Sequence, residues 1–165
     1  FIKSSIENIR LNKKFDIISA LFHILSYHTT EREIDKFFSK SHMHLNKNGI
    51  LIFDFWYEDG VFSLQSPLRV REINNSNYKI IRITVSKWYK KISQIFDIHN
   101  LIILNKKNKK ISKFQETHRM RYFFDKELEL IANITGFKVK KKYKWLTFDD
   151  PNFDTWYAVW VLEKV

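Results

Sequence analysis

Cysteine is absent from the 165 residues, glycine occurs three times and proline twice. Without a thiol the chain forms no disulfide, holds no thiolate-bound zinc and has no cysteine nucleophile. That fits a reducing compartment, and a cytoplasmic location is the expectation. So few residues that break regular structure leave little room for long irregular linkers. No apolar run approaches the ~20 residues of a membrane-crossing helix, so no membrane association is expected. The first residue is Phe1 rather than methionine, and no charged, apolar, small-residue leader follows it. The expectation is a start inside a longer product.

Apolar material is plentiful. Hydrophobic residues make up 44% and aromatic residues 16% of the chain, enough for a packed core and far from a disordered composition. Lysine and arginine outnumber the acids 29 to 18, a formal net charge of +11. Such a balance suits an anionic partner. The cations are scattered, however, and the Lys106–Lys110 and Lys138–Lys144 clusters fall where turns or strand ends are expected. This scatter argues against nucleic acid as the partner.

The run Phe15 to Phe22 reads as a strand buried on both faces. Thr29-Thr30 followed by Glu31 and Glu33 supplies a helix cap with acids in the first turn. Ile34, Phe37, Phe38 and Met43 form the apolar stripe, and Asn46 to Gly49 reads as a closing turn with Gly49 at positive φ. Ile50 to Phe55 is a second buried strand, which makes a βαβ unit. Segments 69–73, 78–89, 93–104 and 111–123 alternate as strands of an antiparallel sheet, with Asn74 to Asn77 and Asn105 to Lys110 as turns. A further helix opens at Asp125, with Leu128, Ile131, Ala132 and Ile134 as its stripe and Gly136 at its end. Two long strands, 137–145 and 155–162, finish the chain.

Several stretches resemble one family. Phe1-Ile2-Lys3-Ser4-Ser5-Ile6 followed by Phe15-Asp16-Ile17-Ile18 is similar to the "F-x-x-G-D-M … F-D-x-V" of class I S-adenosylmethionine-dependent methyltransferases. His44 to Ile50 resembles their "L-K-P-G-G" turn, and Phe53-Asp54-Phe55-Trp56-Tyr57 their "F-D-V-W-Y". His118 to Phe123, Glu127-Leu128 and Gly136-Phe137 resemble the "H-R-M-R-Y-F … E-L … A-G-F" of a small-molecule subgroup related to sugar-amine N-methyltransferases. The glycine-rich loop after strand one and the acid after strand two are absent, and Ser5 stands where an aspartate is frequent.

The resemblance implies an α/β fold: the C-terminal part of a Rossmann-like methyltransferase sheet with an inserted antiparallel β-sheet. The expected divisions are a partial core over 1–66, the inserted sheet as a substrate cover over 67–123, and the final helix and strand pair over 124–165. It implies S-adenosylmethionine as cofactor, lying along Ser5, Ile6, Leu21, Phe22 and His23, and a small-molecule acceptor such as a sugar, nucleotide-sugar or amine.

Methyl transfer from a sulfonium needs alignment and a route for the acceptor's proton. Candidates therefore lie at the carboxyl ends of the parallel strands. His23, Tyr27 and His118 are the catalytic candidates. Asp54, Trp56, Tyr57, Arg119, Arg121, Tyr122 and Trp156 are the substrate candidates, the acid for an amine, the aromatics for a cation and the arginines for an anion. His42 and His44 lack further ligands at metal spacing and read as surface residues. Two alternatives stand beside this reading: a basic single-stranded nucleic-acid-binding module, and a catalytically inert methyltransferase-like partner subunit.

Overall fold

The computed structural model describes residues 2–64, 68–89, 92 and 94–165. In chain order the elements are β1 (Phe15–Ala20), a 3-10 turn (Leu25–Tyr27), α1 (Glu31–His44), β2 (Leu45–Tyr57), α2 (Glu58–Ser63) and β3 (Leu68–Asn74). They continue with β4 (Tyr78–Tyr89), β5 (Gln94–Asn105), β6 (Ile111–Phe123), α3 (Asp125–Ile134), β7 (Phe137–Lys144) and β8 (Tyr157–Lys164). Two compact units result, one of Phe1–Leu64 with Arg121–Val165 and one of Gln65–Met120.

The first unit is built around β2. β1 runs parallel to it, with Ala20 opposite Phe53, and β8 runs antiparallel on its other edge from Ile50↔Glu163 to Trp56↔Tyr157. β7 pairs with β8 on the outside. Past the end of β1, the last residues of β6 take over the vacated edge of β2, pairing Trp56 with Tyr122 and Tyr57 with Phe123. α1 starts as the sequence implies: Thr30 Oγ1 accepts from Glu33 N while Glu33 accepts from Thr30 N, a reciprocal capping box. Its Ile34, Phe37 and Phe38 join Leu128 and Ala132 of α3 in one buried cluster with Phe53, Phe55 and Trp160. Phe37 and Phe38 each meet Phe53 edge-on, with ring centroids 5.7 Å apart, a favoured arrangement for aromatic pairs.

Several local expectations are corrected. β1 is not buried on both faces: Ile17 is 61% exposed and only Ala20 is buried, because α1 and α3 cover the other face of the sheet, the one that carries Phe53 and Phe55. Asn46 to Gly49 belong to β2, and it is Asn48 that takes positive φ. Gly49 is needed for space, since a Cβ there would stand 2.9 Å from the Asn46 carbonyl oxygen. Met43 and Ile134 are exposed at the margins of their helices. His44 is buried, accepting from Leu11 N at 3.0 Å while its other nitrogen meets the Lys40 carbonyl at 2.8 Å. The short helix α2 has no counterpart in the sequence reading. Gly136 does end α3 at φ +80.

In the second unit β3, β4 and β5 form an antiparallel meander, with β6 beside β5. Asn75 turns β3 into β4 by accepting from Asn77 N and Tyr78 N at 2.9 and 2.8 Å. Asn105 plays the same part before β6, accepting from Lys107 N at 3.0 Å.

Gly60 of α2 lies against the Thr155 and Trp156 backbone, so a Cβ there would collide with main chain rather than a movable side chain. Gly60→Ala is expected to lower stability by about 2–3 kcal/mol. Urea unfolding checks this; an unchanged midpoint would contradict the packing described.

Candidate functional site

Directly after β1 the chain places two consecutive non-glycine residues in the left-handed region, Phe22 at φ 65 and His23 at φ 61. Such conformations cost about 1–3 kcal/mol each and persist only where neighbours hold them. The holder is Asp54 on β2, which is fully buried. Its Oδ1 accepts from the His23 backbone N–H at 2.9 Å, and its Oδ2 lies 2.9 Å from the His23 ring Nδ1. The ring contact is close in distance but off the hydrogen-bond line, so the backbone bond is the better aligned of the two.

A second tie lies beside the first. The buried Ser26 of the 3-10 turn accepts from Trp56 N through Oγ at 2.9 Å. The carboxyl end of β2 is thus joined to the segment after β1 at two points two residues apart, the Asp54 side chain and the Trp56 backbone. β8 supplies a wall. Tyr157 stacks on the His23 ring at 4.2 Å with planes 9° apart, and Trp145 stands 5.9 Å from both rings. Trp156 meets Trp56 at 5.6 Å.

Two grooves open here. One of about 620 Å³ is lined by Leu21, Phe22, Tyr143, Trp145, Phe148 and Val159, among others. The other, about 270 Å³, is lined by Lys144, Trp145, Asp154, Thr155, Trp156 and Tyr157. An imidazole fastened at one nitrogen by a carboxylate keeps the other for proton transfer. Aromatic rings around it suit a cationic group.

The structure brings together His23, Asp54, Trp56 and Trp156, with Leu21 and Phe22 at the rim. Tyr27 is half-exposed on the 3-10 turn. Other candidates are placed elsewhere. Ile6 lines a separate groove of about 230 Å³ with Phe15, Ile17 and His44, and Ser5 turns the chain nearby, its carbonyl accepting from Asn8 N and Ile9 N. Ile6 thus lines a different groove from the one that Leu21 and Phe22 line. Asp54 is closed to direct substrate contact by its burial.

Tyr57 points into the helix-side core, where burial and the nearby acids raise its pKa. Tyr122 is 1% exposed between Phe62 and Phe124. Alternation along β2 turns Tyr57 to the core face with Phe53 and Phe55, whereas Tyr122, opposite Trp56, lies on the other face and is covered there by Phe62 and Phe124. Arg121 is buried and bonded to Glu31 of α1 at 3.2 Å and to Glu127 of α3. Its charge ties two helix starts and is not offered to an anion. In the second unit Arg119 donates to Gln94 at 2.7 Å and the His118 ring sits 4.8 Å from that of His99. Among the described residues no group of three or more metal-ligating side chains forms a metal site, and no helix is long and apolar enough to cross a membrane.

The sequence reading missed Tyr157 and Ser26 and set Trp145 in the core. Alternation along β8 carried the signal for Tyr157, since Ala158, Trp160 and Leu162 are buried and so turn Tyr157 to the other face. It also missed Glu58, which accepts from Asp125 N at 3.1 Å. Burial pushes the Glu58 carboxyl up to about 7, with Asp59 and Asp125 adding to the rise.

No protein-family profile matches the chain, and no curated protein matches it. Solved structures do. An S-adenosylmethionine-dependent methyltransferase from Clostridium acetobutylicum superposes with a TM-score of 0.80 at 15% identity, over 98% of this chain and 63% of that one. CalS10, an amino pentose methyltransferase from Micromonospora echinaspora, gives 0.76 at 16% identity over 98% and 63%. DesVI of Streptomyces venezuelae gives 0.79 at 14% identity over 99% and 64%. The chain spans less than two thirds of the length of these proteins. At such identities the likeness shows the fold, that of the Rossmann-like methyltransferases.

A carboxyl with a raised folded pKa is more stable protonated. The Glu58 contribution is therefore present below the unfolded value near 4.5 and is lost as pH rises to about 7. Glu58→Gln can keep the bond from Asp125 N. It is expected to be more stable than the parent at pH 8, by about 1 kcal/mol after screening, with the difference vanishing at pH 4. Urea midpoints across that range decide it; a pH-independent difference would contradict the assignment.

Proposed function

We propose that this chain carries the acceptor-side part of an S-adenosylmethionine-dependent methyltransferase acting on a small molecule, a sugar, nucleotide-sugar or amine. One observation carries the reading. A buried aspartate fastens a histidine at the carboxyl ends of two adjacent parallel strands, the place where open α/β sheets hold ligands.

The cofactor, when bound, supplies an electrophilic methyl group on a sulfonium. Everything else falls to the chain. The free nitrogen of His23 would take the proton that the acceptor loses on methylation. Asp54 acts through His23: it fixes the ring and balances the imidazolium that forms, as a buried carboxylate does for a catalytic histidine elsewhere. Tyr157, Trp145 and Trp156 border the space with π-faces that tolerate positive charge and exclude water. The backbone at Phe22 and His23 presents the ring at a sharp turn, and Leu21 and Phe22 border the cofactor. Tyr27, half-exposed on the 3-10 turn, is the further candidate for touching the acceptor.

Two features suggest that the remaining cofactor contacts come from a preceding segment. The chain covers less than two thirds of its structural relatives. The sheet face opposite α1 and α3 also leaves Ile17 61% exposed and Val159 and Val161 half-buried, whereas parallel strands are normally covered on both faces.

Calorimetric titration of S-adenosylmethionine into this chain and into a version extended upstream tests the reading. Binding by the extended form, at least tenfold tighter than by the chain alone, is expected. An extended form that does not bind sinks it. In that form His23→Gln is expected to lower kcat by about 10²- to 10⁴-fold with little change in the cofactor's KM, and Asp54→Asn to lower it less. A kcat indifferent to His23 would remove the proposed base.

A further inference from the structure

Positive charge that is scattered along the sequence is gathered at one place in the first unit. A groove of about 640 Å³ at the amino end of β1 is lined by Arg10, Lys13, Lys14 and Lys40 together with Leu11 and Met43, and by no carboxylate. Two bonds hold the segment before β1 against the last turns of α1. Leu11 N donates to Nε2 of the buried His44 at 3.0 Å, and Lys40 Nζ donates to the Ile9 carbonyl at 3.3 Å. Arg10, Lys13 and Lys14 are exposed and Lys40 is half-buried. Elsewhere in the fold lysines meet acids: Lys79 meets Glu72, Lys126 meets Glu129 and Lys140 meets Glu163. Among the described residues none of the four groove cations pairs with a carboxylate. The carbonyls at the end of α1 attract cations, but those of His42 and Leu45 already accept from Lys164 Nζ at 2.8 and 3.0 Å. Lys14 crowds other cations instead: burial and Lys14 lower the pKa of Lys164, and burial, Lys164 and Lys14 lower that of His42. Like charges gathered without a counter-charge repel, and a bound anion relieves them.

We propose that this groove binds a phosphate chain, that of a nucleoside polyphosphate or of a free oligophosphate, at a site separate from the acceptor space at His23. Its volume is that of a small-molecule pocket. Four cations on one groove of that size require several negative charges at close spacing, which consecutive phosphates supply and a lone carboxylate does not. Arg10 offers the planar fork that grips phosphate oxygens in pairs, and the three lysines supply point charges. A nucleic-acid strand fits less well, because it needs cations along a track several phosphates long. The basic run of β7 provides no such track: Lys140, Lys142 and Lys144 are engaged with Glu163, Asp125 and Asp154. Lys14 precedes the first residue of β1 and His23 follows its last, so the six residues of that strand, ~20 Å of chain, separate the two places. The groove is therefore a second site on the same unit.

The proposal is independent of methyl transfer and is tested by binding alone. Calorimetric titration of tripolyphosphate, and separately of ATP, into the chain is expected to show saturable single-site binding that weakens as salt rises. Equal affinities would assign a free oligophosphate, and tighter binding of ATP a nucleotide whose base covers Leu11 and Met43; either result supports the site. Arg10→Gln combined with Lys14→Gln is expected to weaken binding roughly tenfold or more. Both residues are exposed, so folding is spared, and an unchanged far-UV circular dichroism spectrum checks this. Lys107→Gln with Lys110→Gln is the control. It removes the same charge from the exposed turn between β5 and β6 and is expected to keep the parent's affinity. Absence of saturable binding, or equal weakening in the two double variants, would overturn the proposal, as would a single-stranded oligothymidylate that binds more tightly than either probe.

Discussion

Asp54 is the constraint on which the candidate site depends. A carboxylate taken wholly out of water is costly unless its oxygens meet donors. Here the aligned donor is the backbone N–H of His23, and the other oxygen lies 2.9 Å from Nδ1 of the same residue's ring. Meeting both requires the chain to turn back sharply after β1, and that turn is what holds Phe22 and His23 in the left-handed region. Burial, strain and ring orientation are therefore one arrangement. Loss of the carboxylate frees the turn as well as the ring.

The sheet then decides what surrounds the ring. Trp56 stands opposite Tyr157 and Asp54 opposite Val159, so Tyr157 faces the same side as Asp54 and reaches the imidazole. Ser26 fastens the following turn to Trp56. On the opposite side of the strand Phe53, Phe55 and Tyr57 enter the core under α1 and α3. Alternation along β2 thus separates a packing face from a face that can do chemistry.

What could be read from the sequence follows from how local each signal is. The Thr30–Glu33 cap, the Phe37 and Phe38 stripe, the asparagine turns and the Gly136 stop depend on residues within one turn of each other, and all were legible. His23 and Asp54 could be named singly from their positions after strands, but their bond spans 31 residues of chain and needs the β1–β2 register. Arg121 misled because its partners, Glu31 and Glu127, are unremarkable helix-start acids until the fold gathers them. Residue type alone points to Tyr57 and Tyr122 as ligand contacts; strand parity turns Tyr57 inward, while Tyr122 keeps the Trp56 face and is covered by Phe62 and Phe124.

The most direct measurement is nitrogen NMR of the His23 imidazole in the folded chain, with Asp54→Asn alongside. A carboxylate at Nδ1 favours the neutral tautomer with its proton on Nδ1 and Nε2 free. The expected result is that tautomer in the parent and its loss in Asp54→Asn. A parent ring carrying its proton on Nε2, or one indifferent to Asp54, would contradict a histidine held by Asp54 for proton transfer.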